Sequence, residues 1–328
     1  MPNSPTLPLA SFLFITYNQE KTVGEAFKSL LSQTYQSIEI IVADDYSTDN
    51  TKLIIEEISK TYSGNKRIIF SESKFNKGTC ENINQAVSLC QGEMIVIAAG
   101  DDVSLPNRCE KIMSRWLELE KKPDLIASDA YDMSVEGEIL GVKSTSILQN
   151  YKNLQTWLRH PPYFFGSSHA WTKRLVCKFP PIDSRILAED HVMVFRAIIS
   201  GGAHTISEPL VKHRRGGVTV RKFWDLDVKV DKLKKGFISN YFYISQILSD
   251  AKNNQYFDIL KSQLDPEIKK YQLANNFFND LALIDKVKHC FYLDGISIFF
   301  KLRMLTYSSF PSLLLPVYWL KKKLKSYE

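Results

Sequence analysis

The sequence predicts an α/β protein with a mostly parallel, doubly wound sheet, followed by a helical C-terminal extension. Three observations support this prediction. Apolar runs alternate with amphipathic stretches over about the first 100 residues, and the connections between them are short. The last 100 or so residues are rich in Lys and poor in Gly and Pro. Strands and helices that alternate with short connections favour a parallel sheet with right-handed crossovers.

Four strands and three helices are predicted in the first part of the chain. The strands are apolar runs at Leu9–Ile15, Ile38–Ala43, Arg67–Ser71 and Met94–Ala99. The helices have apolar residues at the spacing of one helix face, and they are expected over Glu20–Gln33, Leu53–Tyr62 and Cys80–Cys90.

Beyond residue 100 the predicted elements alternate less regularly. Two helices are expected at Asn107–Leu119 and His191–Ile199, and two strands at Asp124–Asp129 and Ile206–Val211. A hairpin turn is expected at Glu136-Gly137. Ile206–Val211 has the pattern of an edge strand. From Lys222 the chain is predicted to be helical as far as Phe310-Pro311.

Polar residues follow three of the predicted parallel strands, at Thr16–Asn18, Asp44-Asp45 and Asp101-Asp102. The carboxyl ends of parallel strands meet at one edge of a sheet, so these loops are expected to converge on one crevice. Adjacent carboxylates repel each other unless a cation or proton relieves them, and oxygen ligands suit Mg²⁺ or Mn²⁺. Asp101-Asp102 is therefore a candidate metal–diphosphate site, with a helix-capping turn as the alternative.

The sequence contains neither G-x-G-x-x-G nor G-x-x-x-x-G-K-[ST]. A dinucleotide-binding dehydrogenase and a P-loop enzyme are therefore unsupported. A nucleotide bound at the crevice would be held by carboxylates and a metal ion instead of a glycine-rich phosphate loop.

Three further stretches are candidate parts of a site. Glu189-Asp190 precedes an apolar helix, where acidic residues also serve as simple helix caps. His213, Arg214 and Arg215 precede two glycines and suit an anion such as pyrophosphate, although an exposed basic loop is the alternative. The segment from His160 to Gly166 is an aromatic, Pro-containing loop that either shapes a ligand site or forms a buried plug.

Charge is distributed unevenly along the chain. Up to Leu210 there are 21 Lys and Arg and 25 Asp and Glu, whereas from Val211 there are 21 and 11, a net charge of +10. Such asymmetry suggests that the C-terminal third faces a membrane surface or a nucleic acid. No recognised nucleic-acid module accompanies it, which favours the membrane.

The apolar segment Phe310–Leu320 is too short to span a bilayer, and it is followed by a Lys cluster from Lys321 to Lys325. This combination predicts an interfacial membrane anchor, with a docked C-terminal helix as the alternative. The five cysteines form no C-x-x-C, which predicts a reducing compartment without disulfides or a zinc site. The first residues lack the pattern of a signal peptide.

Several short motifs together resemble family 2 glycosyltransferases of the GT-A fold. The resemblance covers roughly residues 8–220, and it is carried by Phe12–Glu20, Ser32–Tyr35, Ile40–Asp49, Asn76-Lys77-Gly78, Asn84, Gly92-Glu93, Gly100-Asp101-Asp102 with Pro106, and Glu189-Asp190. It implies an inverting enzyme that uses a nucleotide-diphosphate sugar and Mn²⁺ or Mg²⁺.

The resemblance also implies roles for individual residues. Thr16 and Tyr17 would lie at the base of the nucleotide, with Asn18 and Asp44 beside them, and Asp45 would hydrogen-bond it. Asp101 and Asp102 would hold the ribose and the metal, and Asp190, paired with Glu189, would be the general base. His213 is a candidate metal ligand, and Arg214, Arg215 and His160 are candidates for contacts to phosphate or acceptor.

Two departures from the family pattern affect these roles. Ala99 and Gly100 occupy the positions where the family's D-x-D often begins, so the choice between Asp101 and Asp102 as metal ligand stays open. The family's Tyr-Arg-x-His run is His213-Arg214-Arg215-Gly216 here.

We therefore expect a glycosyltransferase domain at residues 1–220 and a basic helical region at 221–328. The expected reaction moves a sugar from a nucleotide-diphosphate donor, expected to be a UDP-sugar, to a hydroxyl of a lipid-diphosphate-linked saccharide. Bacterial enzymes of this type build O-antigen and other surface polysaccharides, so a position at the cytoplasmic face of the inner membrane is expected. The alternative is a non-catalytic nucleotide-sugar-binding or scaffold protein of a polysaccharide assembly.

Overall fold

A computed structural model describes residues 7–216, 226–279, 281–292 and 295–314. The strands, in chain order, are β1 (Ala10–Thr16), β2 (Ile38–Asp44), β3 (Arg67–Ser71), β4 (Met94–Ala99), β5 (Val103–Ser104), β6 (Leu125–Met133), β7 (Ile139–Lys143), β8 (His169–Thr172) and β9 (Ala203–Arg214). The α-helices are α1 (Val23–Leu31), α2 (Thr51–Thr61), α3 (Thr79–Val87), α4 (Arg108–Glu118), α5 (Leu154–Arg159), α6 (Lys173–Lys178), α7 (Glu189–Ile198), α8 (Leu226–Asp250), α9 (Phe257–Asn279), α10 (Leu283–Tyr292) and α11 (Ile298–Ser309).

Contacts divide the chain into two units. The first comprises Met1–Ser184 with Ala188–Thr219, and the second comprises Arg185–Leu187 with Val220–Glu328.

All nine strands belong to one sheet in the first unit. The strand order is β3-β2-β1-β4-β8-β6-β9-β5, and β7 pairs with β6. Strands β3, β2, β1 and β4 are parallel, as are β6 and β9, while β8 runs antiparallel to both of its neighbours. The predicted α/β fold with a mostly parallel sheet is therefore confirmed.

Both faces of the central strands are covered, which explains their continuous apolar sequences. Alternate residues of β1, Phe12 and Phe14, share a core cluster with α1 and α4, and the rings of Phe14 and Phe27 stack at 5.5 Å. Leu13 points to the opposite face of the sheet and is fully buried as well.

The structure differs from the predicted elements in the second half of the sheet. The short strands β5 and β8 were not predicted, since two and four residues are too few to show a period. The segment predicted as the edge strand Ile206–Val211 is part of the longer β9, which pairs with β6 on one side and β5 on the other. The prediction of an edge strand was therefore wrong for the C-terminal end of β9, which has a neighbouring strand on each side.

The second unit is helical over its described residues, as predicted. Its core is a cluster of Leu273, Ala274, Phe277, Cys290 and Met304. Within the described part of the chain, no helix is both long and apolar enough to cross a membrane. The predicted anchor is described only as far as a single 3₁₀ turn, Pro311–Leu314, so most of it and the Lys cluster at 321–325 lie outside the described residues. All five cysteines are free thiols.

Candidate active site

A cavity of about 550 Å³ lies at the carboxyl ends of β1, β2 and β4. It brings together the three polar loops that the sequence predicts to converge there. Its lining includes Thr16, Tyr17, Gln19, Asp45, Asn76, Gly78, Thr79, Asn82, Asp101, Asp102, Gly166, Ser167, Glu189 and His213.

Asp45 organises one end of this cavity. Its carboxylate accepts hydrogen bonds from the backbone amides of Lys77 and Gly78, both at 2.8 Å. Gly78 has a φ of 84°, a conformation that glycine adopts without strain. Burial raises the pKa of Asp45, and the two amides oppose that rise. Tyr17 lines the same cavity, so the Asp45 end provides an aromatic ring and a hydrogen-bond acceptor.

Asp44 and Asn18 lie outside the cavity lining and brace the loops instead. Asp44 accepts hydrogen bonds from the Thr16 hydroxyl at 2.9 Å and from the Ser47 hydroxyl at 2.6 Å. Asn18 has a φ of 51°, and its side-chain oxygen accepts the Thr48 amide at 2.8 Å. Both residues thus support the loops, and Asn18 also lines a second cavity. A nucleotide contact by either residue stays a prediction.

Asp101 and Asp102 form the centre of the cavity. Burial, and then the charge of Asp102, raise the pKa of Asp101 to about 6. Asp102 accepts the backbone amide of Arg214 at 2.8 Å, which ties this turn to β9. The two carboxylates are therefore held close together in a partly desolvated place, where a bound cation would stabilise both.

The described residues contain no group of three or more His, Cys, Asp or Glu side chains that would hold a metal ion unaided. A complete protein site is not needed for this chemistry, because Mg²⁺ is commonly bound through one or two carboxylates plus substrate phosphates. The oxygen donors of Asp101 and Asp102 fit such a shared site.

His213 also lines the cavity. Lys143 Nζ lies 3.3 Å from His213 Nδ1, and because an ammonium group can only donate, Nδ1 is the acceptor in this contact. The metal-ligand role of His213 stays a prediction.

The two arginines and His160 do not line the main cavity, and their contacts to phosphate or acceptor stay a prediction. The guanidinium of Arg214 is buried and donates to Asp101 O at 3.1 Å, Val135 O at 3.0 Å and Glu25 at 2.6 Å. Arg215 pairs with Asp132. Both line a second cavity of about 600 Å³, which shares Asp101 with the first. His160 is exposed, outside either lining.

The acidic pair begins α7 at the edge of the main cavity. Glu189 lines the cavity, whereas Asp190 lies against Gly166, where an added Cβ would be 3.4 Å from Asp190 Oδ2. Burial, and then the charge of Asp190, raise the pKa of Glu189 to about 8. Burial also raises the pKa of Asp190. The pair can hold and release a proton beside the cavity.

The aromatic loop before β8 serves both roles that its sequence allowed. Phe165 is buried in a small cluster with Ala130 and Val211, while Tyr163 is 58% exposed. The next residues, Gly166 and Ser167, line the cavity. One part of the loop is a hydrophobic plug and the other is a wall of the site.

Three polar residues at or beneath the site were missed by sequence reasoning. Asn82 and Ser167 line the cavity, and Asn82 Oδ1 and Ser167 Oγ are buried without a hydrogen-bond partner. Arg108 is fully buried and donates to Ile97 O at 2.8 Å and Ser167 O at 2.6 Å. The available signal was polarity on the inward face of a helix, shown by Asn82 between Cys80 and Ile83.

Comparisons with known proteins agree with this geometry. A family model described as "Glycosyl transferase family 2" matches residues 11–176, just over half of the chain. The putative glycosyltransferase EpsE of Bacillus subtilis is 31% identical over 160 residues, which are 49% of this chain and 55% of that protein. The chain spans about half the length of the curated relatives that it matches first.

A second relative, WfgD of Escherichia coli, is named as a UDP-Glc:alpha-D-GlcNAc-diphosphoundecaprenol beta-1,3-glucosyltransferase. It is 32% identical over 109 residues, which are 33% of this chain and 41% of WfgD.

Solved structures show the same fold at low sequence identity. S. aureus TarS in complex with UDP aligns with a TM-score of 0.56 at 16% identity, covering 86% of this chain and 78% of that one. The mannosyltransferase PcManGT from Pyrobaculum calidifontis, in complex with GDP-Man and Mn²⁺, aligns with a TM-score of 0.52 at 15% identity. The alignment covers 95% of this chain and 88% of PcManGT. The sheet, the cavity at its carboxyl edge and the family match together establish that the chain belongs to glycosyltransferase family 2 and has the GT-A fold.

Proposed function

We propose that this chain is an inverting, metal-dependent glycosyltransferase that uses a UDP-sugar and acts on a lipid-diphosphate-linked saccharide in surface polysaccharide biosynthesis, such as that of O-antigen. One observation carries the proposal. A single cavity is lined by Tyr17 and Asp45, by the Asp101-Asp102 pair and by Glu189 at the start of α7. This cavity would hold the donor and the metal, and Asp190, the proposed proton acceptor, follows Glu189 at its edge.

The donor would lie across the ends of β1, β2 and β4. Tyr17 would stack on the nucleobase and Asp45 would accept a hydrogen bond from it, while Asp101 would hold the ribose. His213 Nε2–H would donate to the diphosphate. The UDP complex of TarS and the UDP-Glc in the name of WfgD support a uridine donor.

Asp102, with Asp101, would hold Mn²⁺ or Mg²⁺, which when bound offsets the negative charge that develops on the departing nucleoside diphosphate. Asp190 would take the proton of the acceptor hydroxyl as that oxygen attacks the anomeric carbon. A single displacement inverts the anomeric configuration. The bond from the anomeric carbon to the diphosphate breaks as the new glycosidic bond forms.

We assign catalysis to residues 1–220 and membrane contact to the helical region 221–328. The described helices support a contact with the cytoplasmic face of the inner membrane. Ile284 and Phe291 on α10 are 66% and 71% exposed, and Phe299 on α11 is 80% exposed. Exposed apolar side chains in a basic region suit an anionic membrane surface. A lipid-linked acceptor would be found there.

The proposal is tested by incubating the full chain and Mn²⁺ with UDP-, GDP- and dTDP-sugars and a lipid-diphosphate monosaccharide. Mass spectrometry is expected to show one added sugar, with release of UDP, and a chelator is expected to abolish transfer. Tight donor binding without transfer to any acceptor would favour the alternative of a nucleotide-sugar-binding scaffold protein. Undiminished transfer in the chelator would contradict metal dependence.

A further inference from the structure

We infer that Asn82 is a specificity-determining residue that accepts a hydrogen bond from the nucleobase of the donor. This inference rests on the proposed function, because it concerns the nucleotide that the same cavity would bind. It adds a contact that the motifs of the sequence did not indicate.

Asn82 lies at the Asp45 end of the cavity. Its backbone amide donates to Gly78 O at 3.0 Å, and the Gly78 amide in turn donates to the Asp45 carboxylate at 2.8 Å. Its side-chain Nδ2 donates to the carbonyl of Ala43 at 2.7 Å, two residues before Asp45 on β2. Asn82 thus lies one helical turn after Gly78, whose amide contacts Asp45, the residue that would bind the base.

The orientation of the Asn82 amide is fixed by its surroundings. A carbonyl oxygen can only accept, so Ala43 O selects the NH₂ group of the amide and leaves Oδ1 on the other side. Oδ1 is buried and has no hydrogen-bond partner. Buried polar atoms are nearly always satisfied, and Asn82 lines the cavity, so a ligand donor is the partner that this acceptor lacks.

The chemistry of this end selects among nucleobases. Asn82 Oδ1 and the Asp45 carboxylate are both acceptors, so they require an N–H on the ligand. Uracil and thymine have one N–H in a nucleotide, the imide N3–H, which Asp45 and Asn82 Oδ1 would share as a bifurcated hydrogen bond. N3 of cytosine carries no proton and would be repelled by both acceptors. Asn82 is 0% exposed, so its contact with the base would require the cavity lining to move on binding.

The experiment measures the affinity of the full chain, with Mn²⁺, for UDP and for CDP by calorimetry. Wild-type chain is expected to prefer UDP. Asn82→Ala is expected to lower UDP affinity about tenfold, the loss of roughly one hydrogen bond to a buried group, with little effect on CDP. Asn82→Leu fills the same space without an acceptor atom, and it is expected to change the UDP and CDP affinities as Asn82→Ala does. This second variant keeps the test valid if Asn82→Ala does not fold.

Asn84→Ala is the matched control. Asn84 lies on the same helix, and among the described residues its side chain bonds to the backbone of Ile182: Nδ2 donates to the carbonyl at 2.7 Å, and Oδ1 accepts from the amide at 3.1 Å. Its loss is expected to lower the unfolding temperature without changing the UDP-to-CDP preference. An unchanged preference in both Asn82 variants would make Asn82 structural and overturn the inference, even with UDP binding intact in the wild type. A wild-type chain that binds no nucleotide would refute the proposed donor site, and this inference with it.

Discussion

Glu189 and Asp190 are neighbours in the sequence but have different surroundings. Burial raises the pKa of both carboxyl groups, and the charge of Asp190 adds to the rise for Glu189, so the pair is expected to hold one proton at neutral pH. A protonated carboxyl group cannot accept the proton of an acceptor hydroxyl. The proposed role of Asp190 as general base therefore leaves Glu189 as its protonated neighbour.

Exchanging each carboxyl for its amide separates these roles. Asp190→Asn is expected to lower transfer by a factor of about 10² or more, with UDP affinity retained, since a general base contributes that much. Glu189→Gln resembles the protonated acid and is expected to keep transfer at pH 7 within about threefold. Initial rates of sugar transfer would check both. A larger loss in Glu189→Gln than in Asp190→Asn would reverse the assignment.

The raised pKa of Glu189 also predicts how stability depends on pH. The folded chain holds this proton up to about pH 8, whereas an unfolded chain releases it near the ordinary value of 4.5. The folded state therefore binds more protons between these values, and this contribution to stability is lost as pH rises through that window. Thermal unfolding of Glu189→Gln is expected to depend less on pH there, with the exposed Glu118→Gln as control. Equal slopes in the variant and wild type would contradict the raised pKa.

Arg214 shows what residue types alone do not reveal. A cation next to glycines suggested an anion ligand, but three of its five N–H donors are bonded to Asp101 O, Val135 O and Glu25. Those partners come from three distant parts of the chain, so no local pattern could have identified them. By contrast, Asp45, Asp101 and Asp102 were placed correctly at the cavity because each follows a strand that ends at the same edge.

At the scale of elements, the site depends on how closely the turns after β1 and β4 approach each other. The amide of Gly100 donates to Ile15 O at 3.0 Å. A Cβ at Gly100 would collide with Gln19 Oε1 and lie 2.9 Å from Thr16 Cγ2. Gln19 Oε1 in turn accepts the amide of Tyr17 at 3.2 Å. A side chain at position 100 would therefore force Gln19 and Thr16 to move where the Asp101-Asp102 turn meets the loop after β1.

Gly100→Ala is therefore expected to push these two loops apart. Overpacking of this kind typically lowers the free energy of unfolding by about 1–3 kcal/mol, and UDP affinity is expected to fall as Tyr17 moves. Gly141→Ala, on β7, provides the control because a Cβ there meets nothing within 4 Å. Chemical denaturation and calorimetry would measure both effects. Similar behaviour of the two variants would show that the loops tolerate the methyl group.

The elements themselves were predictable where the sequence shows a strong period. The strands Arg67–Ser71 and Met94–Ala99 were predicted with the bounds that the structure has, and the early helices within a few residues. The antiparallel β8 was not predictable, because its pairing with β4 and β6 depends on partners about 75 and 45 residues earlier. Its four residues show no pattern of their own.

At the scale of the whole molecule, charge and apolar exposure separate along the chain. The residues up to Leu210 are net acidic, and those beyond it are net basic. The exposed aromatic residues Phe291 and Phe299 belong to the basic part. This arrangement suits the proposed roles, in which the second unit would bind an anionic membrane surface and the first unit would carry out sugar transfer.

Vesicle sedimentation tests this division. The full chain is expected to bind vesicles with anionic lipids, and less so at high salt because charge attraction is screened. Replacing both Phe291 and Phe299 with Ser is expected to weaken binding about tenfold or more, whereas replacing Leu53, a half-exposed apolar residue on α2, with Ser is expected to leave it unchanged. A chain truncated before Phe310 would test the predicted anchor separately. Undiminished binding by both altered chains would exclude the membrane role.

The position of β8 in the middle of the sheet bears on how such an enzyme diverges. Strand β8 pairs with β6 at His169–Trp171, and the loop before it is tied at Ser167 to Arg108, while Tyr163 stays exposed. Substitutions near Ser167 are therefore expected to destabilise the fold, whereas those around Tyr163 are expected to have little effect on stability. Over evolutionary time, sequence change in this loop is expected to collect around Tyr163.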